Sequence, residues 1–192
     1  MEPWLGDNDK QMFYKYLNKA SIYFEFGSGG STYQACLKQN IQKIYSVESD
    51  LRWNHKLRQI LKNETKVQFI YNEMNARPNT WGYPGKNSTP SQRKKYSDQI
   101  LIINENERKK IDLVLIDGRF RVACCLKCFG VVNDDCVIAF DDFLDRPNYH
   151  IVLNYYDIIE KTRDNRMVIL KKKLDVDSIP KQIIDQYELN SA

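Results

Sequence analysis

The sequence predicts an α/β fold in which a doubly wound, mostly parallel sheet is flanked by helices. Three observations predict it. Short β-rich runs alternate with helical patterns, a glycine cluster directly follows the first run, and the run at 111–116 (IDLVLI) is almost continuously apolar. A continuous apolar run is typical of a strand buried on both faces of a parallel sheet, and regular alternation of strands and helices favours parallel connections.

The elements can be placed in chain order. Predicted strands cover 21–26, 43–47, 67–71, 111–116, 136–140 and 167–170. Predicted helices cover 7–19, 31–39, 50–62, 96–106, 119–129 and 147–161, with a further helix near 179–187. Apolar residues at helical spacing indicate the helices. Asp7 or Asn8 is the expected N-cap of the first helix, and Asp50 is that of the third.

The segment 72–97 interrupts this rhythm. It contains three prolines and two glycines, together with the aromatic residues Trp81 and Tyr83. Loops of this length inside compact domains are usually functional or disordered. We therefore interpret 72–97 as a loop insertion that either closes over a ligand or is anchored to the core by its aromatic side chains.

Composition limits the class of protein. A chain of 192 residues with 42% apolar content suits one domain over 1–192, ending in a charged tail at 174–192. The net charge of +4 is mild, so nucleic acid is not the expected partner. No apolar stretch is long enough for a membrane span, and no secretion signal is evident. Five cysteines, an odd number, lie mostly in apolar runs, which indicates core positions and a cytoplasmic location.

A glycine loop and an acidic residue are the main functional signals. Gly27, Gly29 and Gly30 follow the first predicted strand and precede a helix. Glycines there let a ligand approach the backbone closely, and ligands bind at the carboxyl ends of such strands. Glu48 lies 21 residues after Gly27, at the end of the second strand, where a carboxylate can accept hydrogen bonds from ribose hydroxyls.

This spacing alone fits either NAD or S-adenosylmethionine (SAM). The dinucleotide pattern requires a third glycine where this chain has Thr32. Glu25, two residues before the first glycine, would repel a pyrophosphate but would favour the ammonium group of SAM. The pattern therefore favours SAM.

Four segments resemble a known superfamily. The segments 24–32 and 45–50 look like motifs I and II of class I SAM-dependent methyltransferases, while 112–121 and 140–150 are similar to small, mostly uncharacterised bacterial-type members. The resemblance covers about 20–172 and implies a Rossmann-like fold, SAM as cofactor and methyl transfer. The superfamily's sheet ends in an antiparallel strand pair, of which only 167–170 is evident here.

The same resemblance assigns cofactor contacts. It implies that Glu25, Gly27 and Gly29, with Ser28 in the same loop, border the methionine part of SAM. It places Glu48 beside the ribose, and Ser49 and the segment 72–75 beside the adenine. Asp117, at the end of the fourth strand, completes the predicted cofactor contacts.

The predicted catalytic residues are Asp117, Asp141 and His150. Asp117 and the Asp141–Asp142 pair end the fourth and fifth strands, where three carboxylates could hold Mg²⁺ and lower the pKa of an acceptor hydroxyl. This layout is similar to metal-dependent catechol-type O-methyltransferases, although they have an acid–amide pair where this chain has two acids. The alternative is that one aspartate caps a helix. His150 is either a general base or a polar residue early in a helix.

The predicted substrate-binding residues are Trp81, Arg119, Arg121, Asp142 and Tyr149. Guanidinium groups suit carboxylate or phosphate groups, unless one of the arginines pairs with a neighbouring aspartate. The sequence thus predicts a methyltransferase that O-methylates a sugar, a nucleotide-sugar or another small metabolite. The alternatives are a non-catalytic binding module and, less favoured, an NAD-linked oxidoreductase. A homodimer is left open.

Overall fold

The computed structural model describes residues 1–191, which are organised around one seven-stranded sheet. The strands are β1 (Ile22–Phe26), β2 (Lys43–Glu48), β3 (Val67–Tyr71), β4 (Leu113–Ile116), β5 (Val137–Phe140), β6 (Tyr156–Lys161) and β7 (Val168–Lys172). Their order in the sheet is β3-β2-β1-β4-β5-β7-β6. The first five strands pair in parallel, and β7 pairs antiparallel with both β5 and β6. The predicted α/β fold is confirmed.

Seven α-helices pack around the sheet in the described chain. They are α1 (Asp7–Leu17), α2 (Gly30–Leu37), α3 (Leu51–Ile60), α4 (Pro90–Asp98), α5 (Glu105–Arg108), α6 (Arg121–Cys128) and α7 (Lys181–Tyr187). The prediction that Asp50 caps α3 is confirmed, since its side chain accepts a hydrogen bond from the Trp53 amide at 3.0 Å. The predicted cap of α1 is wrong: Gly6 holds that position without a side-chain hydrogen bond.

The predicted helix at 147–161 is also wrong. A 3₁₀ segment runs from Pro147 to Asn154, and the remainder is strand β6. Tyr156 is buried, Asp157 is exposed, and Ile158 is more buried than Ile159. This two-residue alternation suits a strand, and hydrogen bonding to β7 outweighs the helical spacing of the apolar residues. The antiparallel strand pair that ends the superfamily's sheet is therefore present. Its second strand, which is not evident in the sequence, is β6, and it precedes β7 instead of lying in the C-terminal tail.

The boundaries around the loop insertion differ from the prediction as well. Helix α4 begins at Pro90, and the predicted helix at 96–106 is instead the end of α4, a 3₁₀ turn at Gln99–Ile102 and the short α5. Thr89 caps α4 by accepting from the Gln92 amide, while the Gln92 side chain accepts from the Thr89 amide. This reciprocal cap ends the irregular segment at residue 89.

Alternate residues of the central strands supply two cores, one on each face of the sheet. On β4, Val114 and Ile116 join the core beneath α4 and α6, while Leu113 and Leu115 join the core beneath α1, α2 and α3. All five cysteines are buried and free, as predicted for core positions. No helix within residues 1–191 is both long and apolar enough to cross a bilayer. Parallel pairing brings the carboxyl ends of β1, β2, β4 and β5 to one edge, where the predicted site residues lie.

Candidate cofactor and active site

The glycine loop begins where β1 meets the end of β4. Gly27 has φ +101°, and a Cβ added there would lie 2.8 Å from the backbone nitrogen of Gly118. A Cβ on Gly118 would lie 2.9 Å from the carbonyl of Phe26. By contrast, a Cβ on Gly29 would meet nothing within 4 Å, so open space adjoins the loop there. The backbone therefore brings the glycine loop and the Asp117–Gly118 turn together beside an open cradle.

Glu25 lies beneath this loop and is fully buried. Its carboxylate accepts hydrogen bonds from the hydroxyls of four residues: Tyr23, Ser31, Thr32 and Ser46. Burial raises the pKa of Glu25, and the hydroxyls from Ser31, Ser46, Thr32 and Tyr23 oppose that rise. Glu25 was expected to border the cofactor directly, but in the structure it reaches the loop through hydroxyl groups.

Thr32 has a second contact that extends this network to the glycine loop. Its Oγ1 accepts from the Gly29 amide at 2.9 Å while its hydroxyl donates to Glu25. Ser46 on β2 bonds both to Glu25 and to the Ser28 hydroxyl at 2.6 Å. The Trp53 indole donates to the Ser28 carbonyl at 2.8 Å. The loop is thus fixed from β1, β2, α2 and α3.

Glu48 ends β2 with its carboxylate almost fully buried. Its Oε1 accepts from the amides of Ser49 at 2.6 Å and Asp50 at 2.7 Å. Burial raises the pKa of Glu48 to about 7, and these amide hydrogen bonds oppose that rise. The loop insertion covers the residue, since a Cβ on Gly82 would lie 3.4 Å from Oε1, and the Ser49 hydroxyl donates to the Gly82 carbonyl at 3.0 Å.

The N-terminal segment 1–6 covers the other side of the same cleft. A Cβ on Gly30 would lie 2.1 Å from the Glu2 carbonyl, so this segment rests directly on the start of α2. Glu2 accepts from Tyr14 at 2.6 Å and from Gln34 at 2.6 Å. The Trp4 ring contacts the Trp81 ring with centroids 5.6 Å apart, although Trp4 is 83% exposed and Trp81 67% exposed. The two coverings therefore meet above the cleft.

Arg121 joins the aspartates that follow β4 and β5. Its guanidinium donates to Asp117 Oδ1 at 3.0 Å, to the Asp141 carbonyl at 2.7 Å and to the Gly118 carbonyl at 3.0 Å. Asp141 is 2% exposed, and its Oδ1 has no hydrogen-bond partner in the described chain. Burial, reinforced by the charge of Asp117, raises the pKa of Asp141 well above its ordinary value. These aspartates form a pair that holds a proton more tightly than isolated carboxylates do.

The Asp142 carboxylate contacts the guanidinium groups of arginines and does not face an open metal site. It adopts φ +55° and accepts from Arg146 and Arg166, both at 2.7 Å, with Arg121 3.4 Å away. Burial disfavours its charge, but the guanidinium groups of Arg166, Arg121 and Arg146 outweigh burial and lower its pKa. Within residues 1–191 no three carboxylate, histidine or cysteine side chains are arranged to hold a metal ion. The predicted Mg²⁺ site at Asp117, Asp141 and Asp142 is therefore not supported, because guanidinium groups lie where the cation was expected.

The other predicted substrate-binding residues differ in exposure and in the contacts that their side chains already make within the protein. Arg119 is 8% exposed, and its guanidinium stacks on the Tyr83 ring, 4.1 Å from its centroid. Tyr149 is fully buried, and its hydroxyl accepts from Arg146 at 2.9 Å. The Arg121 guanidinium already donates hydrogen bonds to the Asp117 carboxylate and to the carbonyls of Gly118 and Asp141. Trp81 remains exposed at the loop tip.

His150 lies on the 3₁₀ segment, not on the predicted helix. Its ring packs against Phe143, with centroids 5.3 Å apart. Its Nε2 is buried without a hydrogen-bond partner in the described residues. No hydrogen bond within residues 1–191 joins it to Asp117 or Asp141, so the structure does not bring the three predicted catalytic residues into one bonded network.

Known structures share this fold. A methyltransferase-like protein of Silicibacter pomeroyi is similar over 100% of this chain and 98% of that chain, with a TM-score of 0.83 and 23% identity. The present chain therefore has the class I methyltransferase fold. An rRNA methylase of Streptococcus thermophilus has a TM-score of 0.52 and 12% identity over 84% of this chain and 92% of that chain. A tRNA methyltransferase of B. subtilis has a TM-score of 0.53 and 11% identity over 88% of this chain and 67% of that chain. No family model and no curated sequence matches the chain.

Several residues of the candidate site are not evident from the sequence. Gly118 follows a buried strand immediately after an aspartate, which is a signal for close backbone approach. In the sequence Thr32 indicates only that the third glycine of the dinucleotide pattern is absent, yet in the structure it hydrogen-bonds to both Glu25 and Gly29. Ser46 and Trp4 carry no sequence signal, because only the tertiary structure places them at the cleft.

Proposed function

We propose that this protein is a SAM-dependent methyltransferase that transfers a methyl group to a hydroxyl of a small-molecule acceptor, such as a sugar, a nucleotide-sugar or another metabolite. One observation carries the proposal. The contact between Gly27 and Gly118 joins the glycine loop to the turn that holds Asp117. A cofactor on the loop would therefore lie next to the Asp117–Asp141 pair.

The residues at the cleft fit SAM. The open space beside Gly29 accommodates a ligand against the backbone, and Glu48 ends β2 where a ribose is bound in sheets of this type. Ser28 and Ser49 lie at the two ends of this cradle, and both belong to the proposed cofactor contacts. Glu25 acts indirectly, since its hydroxyl network fixes the loop that contacts the cofactor.

The chain's own chemistry is proton transfer and positioning. When bound, SAM supplies a methyl group on a positively charged sulfur. The acceptor oxygen would form a bond to the methyl carbon as the carbon–sulfur bond breaks, which leaves S-adenosylhomocysteine as the neutral product. The acceptor hydroxyl must lose its proton in this exchange, and the Asp117–Asp141 pair receives that proton. The raised pKa of Asp141 makes the pair a better base near neutral pH than an exposed carboxylate. Arg121 fixes the two carboxylates and acts as a positioning residue.

The remaining predicted residues take supporting roles in the proposal. His150 is the second candidate base, because its Nε2 is buried without a hydrogen-bond partner among residues 1–191. Trp81 and Arg119 contact the acceptor from the loop insertion and from the turn after β4. Asp142 and Tyr149 hold the neighbouring Arg146 and act through it.

Calorimetry with S-adenosylhomocysteine tests the cofactor, and a radiolabelled methyl-transfer screen tests the acceptor. We expect micromolar binding of S-adenosylhomocysteine, no binding of NAD, and label transfer to a hydroxylated metabolite that Asp141→Asn reduces at least a hundredfold. Absence of binding at millimolar cofactor would refute the assignment. Label transfer to RNA fragments, but to no small molecule, would retain the methyltransferase and overturn the acceptor class.

A further inference from the structure

One arginine at the carboxyl edge of the sheet, Arg119, has no counter-ion within residues 1–191. Arg121, Arg146 and Arg166 all form ion pairs with the aspartates that follow β4 and β5. Arg119 forms no ion pair and no side-chain hydrogen bond within residues 1–191, and its buried Nε has no partner. Its backbone bonds only to uncharged groups: the amide donates to the Tyr96 hydroxyl at 3.4 Å, and the carbonyl accepts from the Cys124 thiol at 3.4 Å.

Burying the Arg119 guanidinium without a counter-ion costs free energy. Arg119 is 8% exposed, and a guanidinium group stays charged under all ordinary conditions. A buried charge without a partner is strongly unfavourable, so proteins normally pair it or present it to a ligand. We propose that Arg119 binds an oxyanion, a phosphate or a carboxylate, that belongs to the methyl acceptor.

The position of Arg119 suits this role. The guanidinium carbon lies over the Tyr83 ring, 4.1 Å from the ring centroid, and this contact holds the group in place. A guanidinium group has five N–H donors, which suit bidentate contact with an oxyanion. Burial raises the pKa of Asp117, and the charges of Arg121 and then Arg119 oppose that rise. Arg119 is therefore within electrostatic reach of the proposed catalytic pair, and an acceptor bound there has its anionic group close to its reacting hydroxyl.

This inference rests on the proposed function and narrows its acceptor class. Phosphorylated or acidic hydroxyl compounds are acceptors, and their neutral analogues are poor ones. The methionine carboxylate of the cofactor is a second source of the same chemistry. The test must therefore separate an oxyanion of the acceptor from that of the cofactor.

The test uses the full chain with S-adenosylhomocysteine and inorganic phosphate as probes. Calorimetry first measures S-adenosylhomocysteine binding, and phosphate is then titrated into the saturated protein. The variants are Arg119→Gln, Arg119→Lys and Tyr83→Leu, and Arg52→Gln is the matched control because Arg52 is exposed and unpaired within residues 1–191. We expect Arg119→Gln to weaken phosphate binding at least tenfold and Arg119→Lys to weaken it less. Affinity for S-adenosylhomocysteine stays within twofold in all variants.

The outcomes distinguish the two proposals. If the wild type does not bind S-adenosylhomocysteine, the proposed function fails and the acceptor inference fails with it. If the cofactor analogue binds but phosphate binds neither protein, or binds Arg119→Gln as tightly as the wild type, the inference alone is overturned. A tenfold loss of S-adenosylhomocysteine affinity in Arg119→Gln, with phosphate binding unchanged, assigns the guanidinium to the cofactor. Should Arg119→Gln fail to fold, Tyr83→Leu decides: a threefold or greater loss of phosphate affinity supports the inference, and no loss overturns it.

Discussion

Gly27 and Gly118 approach so closely that a Cβ on Gly27 would lie 2.8 Å from the backbone nitrogen of Gly118. Gly27 also has φ +101°, a conformation that other residues rarely adopt. Two neighbouring parallel strands, β1 and β4, therefore end in turns that touch through backbone alone. This contact sets the distance between the proposed cofactor loop and the proposed catalytic pair.

Gly27→Ala is expected to destabilise the protein by about 2 kcal/mol or more, because the new Cβ meets backbone and the positive φ is strained. Gly29→Ala is the matched control: its φ of 177° is extended, and its Cβ would meet nothing within 4 Å. We expect it to cost less than about 1 kcal/mol but to weaken S-adenosylhomocysteine binding, since its methyl group enters the proposed cradle. Urea unfolding and calorimetry measure the two effects, and equal destabilisation by both variants would contradict the geometry.

Arg121→Met should be among the most destabilising single substitutions at this edge. It removes the donor shared by Asp117 and Asp141 and leaves the buried Asp141 carboxylate and the half-buried Asp117 carboxylate without their cation. Breaking one partner of a buried ion pair typically costs about 3–5 kcal/mol. The control is Arg52→Met on the exposed face of α3. Urea unfolding at pH 7 checks the prediction, and a difference from the control below about 1 kcal/mol would show that Arg121 does not hold the pair.

How much the sequence could predict depended on whether a feature was local. The apolar run at 111–116 and the cap at Asp50 are local signals, and both are confirmed, with the strand itself formed by Leu113–Ile116. The cap at Thr89, with Pro90 and Gln92 after it, is an equally local signal, but the prolines and glycines nearby favour a loop that continues to residue 97. Strand β6 was not predictable from its own residues, since its apolar spacing also fits a helix until β7 pairs with it.

The same distinction between local features and features that depend on distant residues applies to the candidate site. The sequence placed Glu25, Glu48, Asp117 and Asp141 at strand ends, and parallel pairing brings those ends to one edge. It did not predict which charges neutralise one another. Arg121 is predicted to bind substrate unless it pairs with a neighbouring aspartate, and the alternative is the one observed. It pairs with three aspartates, because its place in the first turn of α6 brings it over both strand ends. Such pairing depends on side-chain packing across elements that are distant in sequence.

Glu48 should make stability depend on pH. Its pKa is ordinary in the unfolded chain but about 7 in the folded protein, so only the unfolded chain ionises between these values. The contribution of Glu48 to the free energy of unfolding is fully present below about pH 4.5. It is lost as the pH rises through 7, by an amount on the order of 3 kcal/mol. Glu48→Gln should remove that decline, whereas Glu105→Gln, on the exposed α5, should not. Urea unfolding from pH 5 to pH 8 measures both slopes, and identical slopes for the wild type and Glu48→Gln would count against the assignment.

The Trp4–Trp81 contact should control how fast a cofactor leaves. Segment 1–6 rests on the start of α2, the loop insertion rests on Glu48 and Ser49, and the two indoles join these coverings above the cleft. Aromatic pairs contribute about 0.5–1.5 kcal/mol, which corresponds to a roughly two- to twelvefold change in rate. We expect Trp4→Ala and Trp81→Ala each to speed dissociation of S-adenosylhomocysteine within that range, as measured by stopped-flow fluorescence.

The double variant decides whether the two rings act as one closure. If dissociation requires the contact to open, removing either ring abolishes it, and Trp4→Ala/Trp81→Ala should dissociate no faster than the quicker single variant. Leu174→Ala is the control, because Leu174 is 77% exposed on the C-terminal tail and belongs to neither covering. Effects that multiply in the double variant would mean that each ring contacts the ligand separately. Unchanged rates in all variants would mean that the cofactor leaves without parting the N-terminal segment from the loop insertion.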